Sequence, residues 1–138
     1  MTWLVYACIS AVAAAATAIL AKIGVEGVPS TLATAFRTLV VVAFSWAMVV
    51  VLGEQRAVLL VSRRSWVFLT LSGLATGVSW LAYFRALQLG LASRVAPIDK
   101  LSLPLTVVLA AVALGEPMSV RLAGGVALMT IGALLTLG

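Results

Sequence analysis

The sequence predicts an all-α integral membrane protein, a single unit of five transmembrane helices, and three observations predict it. Hydrophobic residues make up 64% of the 138 residues, charged residues only 9%, and mean hydropathy is +1.23. The apolar residues fall into five runs, at about residues 3–21, 31–52, 66–89, 93–114 and 120–137. Each run has close to the ~20 residues that carry a helix across ~30 Å of hydrocarbon at ~1.5 Å per residue. A water-soluble domain needs about a quarter of its residues charged to cover itself, and this chain has no such cover. The runs are too long for barrel strands of ~10 residues and lack strict alternation, so they read as helices.

Taken in order, the first run is rich in alanine, with Ser10 and Thr17 seven apart on one face; Lys22, Glu26 and the turn Gly27-Val28-Pro29 end it. The second carries Arg37 about six residues in, and a polar connection with Glu54, Arg56, Arg63 and Arg64 follows. The third starts at Trp66 and holds Gly73 and Gly77, then Trp80, Tyr83, Phe84 and Arg85 near its end. A tight turn leads to the fourth, with Asp99, Lys100, Ser102, Pro104 and Thr106. Gly115-Glu116-Pro117 breaks the chain before the fifth, where Gly125 and Gly132 lie seven apart. Ala16-Thr17-Ala18 has the small-x-small look of a signal cleavage site, but no basic side chain precedes the apolar stretch, so no cleavage is expected.

The net charge is +5, yet the only adjacent basic pair is Arg63-Arg64. No basic patch exists to drive counterion release, which excludes nucleic acid as a partner; the loop charges suit lipid headgroups. Arg56, Arg63, Arg64 and Arg121 share the side of the N-terminus, against Lys22 and Arg94 on the other, which favours a cytoplasmic N-terminus. Adding Arg37, Arg85 and Lys100, in the outer parts of their helices, makes the balance four against five, a weak bias that leaves a mixture of orientations open. Cys8 is the single cysteine and there is no histidine. Catalysis through histidine, a histidine- or thiolate-ligated metal and a bound cofactor are therefore not expected, and Asp99 is the sole carboxylate within a helix. The chain does not read as an enzyme.

Arg37, Arg85, Asp99 and Lys100 fall near one depth, ~6–10 Å below one membrane face. A charge at mid-helix costs on the order of 2.5–3.5 kcal/mol, so four at one level suggest a shared polar cavity for a substrate or coupling ion. The alternative is that Arg85 and Lys100 snorkel to the headgroups while Arg37 pairs with Asp99 as a structural tie. Asp99 and Lys100, as neighbours on a helix, should diverge by ~100° and each seek a partner elsewhere. Asp99, Ser102 and Thr106 line one stripe, facing either a cavity or a neighbouring helix. Pro104 should leave the Lys100 carbonyl without its helical partner, a free acceptor at the charged level. Trp80 and Phe84, one turn apart, either stack on a substrate or belong to an interfacial aromatic belt, and the belt is the preferred reading. Formal charges of +3 against −1 in the cluster point to an anionic or zwitterionic metabolite that completes it.

The segments Phe84-Arg85-Ala86-Leu87-Gln88-Leu89-Gly90 and Ala92-Ser93-Arg94-Val95-Ala96-Pro97, the run Thr106 to Ala110, the turn Leu114-Gly115-Glu116, the stretch Gly125 to Gly132 and the early Arg37 resemble the EamA domain of the drug/metabolite transporter superfamily. The resemblance covers nearly the whole chain. It implies an EamA-like five-helix fold and plasma-membrane transport of small metabolites, with export the expected direction. Familiar members carry two such units, mutually inverted, in one chain, so the resemblance also implies a homodimer or a paired homologous subunit around a central path. The last helix is similar to the glycine-bearing final helix of small multidrug resistance proteins, which holds their dimer, and this likeness implies Gly125 and Gly132 as the dimer-contact candidates. The first helix has no carboxylate where those proteins have one. Asp99 and Lys100 stand at positions apolar or aromatic in many EamA members, and Pro104 is displaced by one from the common proline. The other function class compatible with this composition is a non-transporting membrane subunit that pairs with and stabilises another membrane protein.

Overall fold

The computed structural model describes residues 2–137; Met1 and Gly138, the ends of the expected single unit, lie outside the described residues. The described residues form α1 (Thr2–Gly24), α2 (Ser30–Val51), a 3-10 turn (Gln55–Leu60), α3 (Arg63–Leu89), α4 (Ala92–Asp99), α5 (Ser102–Leu114) and α6 (Val120–Leu135), with no strand among them. Four spans are long and apolar enough to cross a membrane: α1, α2, α3 and the joined stretch Ala92–Leu114; α6 is a shorter apolar helix. Large apolar side chains such as Trp3, Val12, Val51 and Val112 are exposed. In water each such side chain would forgo ~1.5–3 kcal/mol of burial, whereas hydrocarbon imposes no such loss.

Helix ends follow local chemistry. Leu52 caps α2, and Gly53 behind it takes φ +72°, a left-handed conformation that side chains resist. This lets the Gly53 and Glu54 N–H groups reach back to the Val50 and Val49 carbonyls at 3.1 and 3.0 Å, a Schellman closure. α3 begins three residues before the expected Trp66, because the Ser62 hydroxyl accepts from the Ser65 N–H at 3.1 Å and caps the helix. Ser119 does the same for α6, accepting from the Leu122 N–H at 3.1 Å.

The fourth span differs from the continuous helix expected over 93–114. It is interrupted at Lys100 and Leu101, between α4 and α5. Pro104 has no N–H to bond the Lys100 carbonyl, so the backbone tightens: Leu103 N–H reaches that carbonyl at 3.0 Å, and Leu101 N–H bonds the Ile98 carbonyl at 3.0 Å. The expected free acceptor at Lys100 is thus taken up. Pro104 then sits in the first turn of α5, where a missing N–H costs nothing.

The chain divides into two compact units. One is Leu20–Gln88, which holds the end of α1, α2 and nearly all of α3. The other comprises the remaining described residues, and in it α6 packs against both α4 and α5. Within α6 the residues drawn inward are Val126, Thr130 and Ala133, spaced four and three apart on one face.

Candidate functional site

In the Leu20–Gln88 unit, α2 places Arg37 seven residues beyond Ser30, ~10 Å along the helix. α3 presents Trp80 and Phe84 one turn apart on one face. The guanidinium carbon of Arg37 lies 4.1 Å from the Trp80 ring centre and 5.5 Å from that of Phe84. Tyr83 meets Phe84 edge-on, with centres 6.5 Å apart and planes at 70°. Phe84 is only 3% exposed, so it faces protein and does not belong to a lipid-facing belt. The cation is attracted by the quadrupoles of both rings, which offer its N–H groups no lone-pair acceptor. Within this unit no carboxylate among the described residues pairs with Arg37.

Arg85 is turned to other work. Its Nη1 donates to Gln88 Oε1 at 3.1 Å. Gln88 Nε2 in turn donates to the Val28 carbonyl at 2.6 Å and the Val25 carbonyl at 3.4 Å, both in the α1–α2 turn. Lys22, in the last turn of α1, donates from Nζ to the Leu87 carbonyl at 2.6 Å. That carbonyl is one of the last four of α3, which lack helical partners and carry the negative end of the helix dipole. Val25 and Leu87 are buried beside these bonds. The clasp thus fixes the end of α3, one turn beyond Phe84, against the turn that leads into α2. Gln88 and Lys22 were not among the expected site residues. The signal was present: an amide and an ammonium at the ends of apolar helices each need a partner.

In the other unit, Lys100 Nζ lies 3.1 Å from Asp99 Oδ2, the one ion pair among the described residues. This corrects the expectation that the two would diverge. The ~100° rule assumes continuous helix, and α4 ends at Asp99. Ser102 and Thr106 are related through their own helix: Thr106 Oγ1 donates to the Ser102 carbonyl at 2.8 Å, so its hydroxyl proton bonds neither a cavity ligand nor a neighbouring helix. Gly125 and Gly132 lie on α6 with open space where a Cβ would stand, and Gly73 and Gly77 on α3 do likewise.

Four apolar spans and a shorter apolar helix among the described residues agree with what the comparisons find. The chain matches the EamA-like transporter family over residues 1–138. It belongs to that family. A Sinorhizobium sp. protein described as an uncharacterized transporter in the cobO 3' region is 46% identical over 134 residues, covering 97% of this chain and 95% of that protein. No solved structure matches. This EamA-like chain is therefore a multi-pass membrane protein and a membrane transporter.

Proposed function

We propose that this EamA-like transporter carries small anionic or zwitterionic metabolites, with Arg37 as the carboxylate anchor. The observation that carries the reading is the Arg37 guanidinium stacked on Trp80 and Phe84 without a carboxylate in its unit. A ring gives the guanidinium N–H groups no carboxylate acceptor, and their fork matches a carboxylate in bidentate fashion. The rings hold the guanidinium in place before substrate arrives, which lowers the entropy cost of binding. Trp80 and Phe84 act as its platform. Arg85 acts as a positioning residue through Gln88, and Asp99 with Lys100 forms a polar pair at the break between α4 and α5.

The working form is a homodimer, in which two five-helix units surround the path and α6 meets its counterpart along Gly125 and Gly132. Transport runs outward across the plasma membrane, with the N-terminus of most copies in the cytoplasm. The test is purified protein in liposomes, screened by counterflow with amino acids, other small carboxylates and a lipophilic cation. Carboxylate-bearing compounds should exchange, and Arg37→Gln should abolish that exchange while the protein remains folded. Exchange of the lipophilic cation alone, unchanged by Arg37→Gln, would overturn the substrate class. No exchange of any compound by the purified protein would favour a subunit that only stabilises a partner.

A further inference from the structure

We infer that a groove between α5 and α6 is a site for a phospholipid with a primary-amine zwitterionic headgroup, its acyl chain in the groove, its ammonium at Glu116 and its phosphate at Arg121. The site uses none of the residues around Arg37 and does not depend on what that residue binds. The groove has a volume of about 370 Å³ and lies within one unit of the chain. That volume falls in the ~300–1,000 Å³ range of ligand-holding cavities. Its α5 wall includes two small residues, Ala110 and Ala111, and Met118 of the connection and Leu122 of α6 also line it.

The polarity of the groove selects its occupant. Its deep end is Thr106, whose hydroxyl proton is spent on the Ser102 carbonyl, and Val107 and the two alanines are apolar. A polar metabolite would lose its water there and gain no donor, whereas a hydrocarbon chain loses nothing. Thr106 lies eight residues before Leu114, ~12 Å along α5. The transmembrane stretch ends at Leu114 and α6 begins at Val120, which puts the connection at headgroup level.

At that level stand two opposite charges. Glu116 lines the groove and is exposed, and no cation among the described residues pairs with its carboxylate. Arg121, in the first turn of α6, is likewise exposed and without a carboxylate partner among those residues. Apolar groove, carboxylate and guanidinium together complement an acyl chain, an ammonium and a phosphate. A purely anionic headgroup leaves Glu116 unanswered, and a trimethylated one has no N–H to donate to it.

The experiment is native mass spectrometry of the intact protein in mild detergent with added dioleoyl phosphatidylethanolamine, phosphatidylcholine or phosphatidylglycerol. The ethanolamine lipid should be retained about two- to fivefold over the choline lipid, the range expected of an exposed charge pair. Glu116→Gln should remove that preference. Ala110→Leu, which fills the groove, should lower retention of every lipid, while Val112→Leu, at a position 80% exposed and outside the groove, should not. Ala111→Leu is the second filling variant, and circular dichroism checks that each variant keeps its helix content. Equal retention of the ethanolamine and choline lipids by the unaltered protein would overturn the inference. So would undiminished retention in both filled variants, or loss of a dimer on filling with lipid retention unchanged, which would assign the groove to a second copy.

Discussion

Arg37 lies with its guanidinium carbon 4.1 Å from the centre of the Trp80 ring, so the one charge inside the α2 span rests on an aromatic face. A cation–π contact is worth ~0.5–1 kcal/mol when exposed and ~2 when desolvated, and Arg37 is half-buried. Trp80→Leu should therefore lower the unfolding temperature in detergent and weaken binding of carboxylate-bearing substrates by roughly tenfold, since 1.4 kcal/mol is a factor of ten. Arg37→Lys separates the two roles of that side chain. It keeps the charge but loses the planar fork, so transport should fall sharply while the protein still folds. Transport at the original rate in Arg37→Lys would show that charge alone suffices.

Gln88 is the junction of the clasp between the end of α3 and the α1–α2 turn, donating to the Val28 carbonyl and accepting from Arg85. Replacing it by leucine removes the donor and leaves the part-buried Val28 carbonyl to find another, a cost of about 1 kcal/mol, the low end of the range for buried groups. Gln88→Leu should reduce thermal stability more than Arg85→Gln, because Arg85 is exposed and only orients the amide. Thermal unfolding followed by circular dichroism in one detergent would rank the two. If Arg85→Gln destabilises as much as Gln88→Leu, the arginine has a role beyond holding Gln88.

How far these arrangements could be read from sequence depends on the kind of information each needs. The spans and their order follow from runs of apolar residues, and Gly53 and Gly115 mark helix ends through left-handed turns at φ +72° and +69°. The start of α3 was missed because a Ser62 cap is a single hydroxyl outside the apolar run. The charged residues were recognised but not their partners. A cation in an apolar helix needs something, and carboxylate, ring face and carbonyl all answer that need. Arg37 took rings, Lys22 took a carbonyl, and Lys100 took its own neighbour once Pro104 had broken the helix. Partner choice depends on tertiary placement, which hydropathy does not encode.

Asp99 and Lys100 are paired at 3.1 Å, and each neutralises the other at the break between α4 and α5. Asp99→Asn and Lys100→Gln should each lower stability or transport by leaving an uncompensated charge. The double variant should be less damaged than the sum of the two, a coupling of ~0.5 kcal/mol or more in a double-mutant cycle. Strict additivity would mean that the pair is incidental and that each charge serves a different partner. Within this set, Lys100→Gln should also reduce transport of carboxylates more than that of neutral compounds if Lys100 faces the substrate.

Orientation is open to direct labelling. The alternation expected of five spans puts four arginines, Arg56, Arg63, Arg64 and Arg121, on the side of the N-terminus, and positive charge holds loops in the cytoplasm. Single cysteines at Gln55 and Ser93 in a Cys8→Ser background test the two faces that this alternation predicts. Most copies should label from outside at Ser93. An inverted homodimer requires a second population that labels at Gln55, and labelling of one site only would leave a parallel dimer or a separate partner.

The last prediction concerns assembly through α6. The face of α6 that turns inward carries Val126, Thr130 and Ala133. Gly125 and Gly132 precede Val126 and Ala133 by one residue each and so lie ~100° to one side of that face. A Cβ added at either glycine meets nothing within 4 Å in the chain. Replacing glycine in a helix interior by a good helix former improves helix propensity by up to ~1 kcal/mol. Within one copy, then, Gly132→Leu should be neutral or stabilising. If α6 packs closely against α6 of a second copy, the same side chain blocks the backbones from approaching. Native mass spectrometry in mild detergent should accordingly show a dimer for the unaltered protein and a well-folded monomer for Gly132→Leu, with Gly125→Leu behaving alike. Because the chain itself gives no reason for damage at these positions, loss of the dimer with helix content preserved would locate the interface on this stripe. A dimer that survives both substitutions would place the interface on another face, and a monomer in the unaltered protein would remove the homodimer altogether.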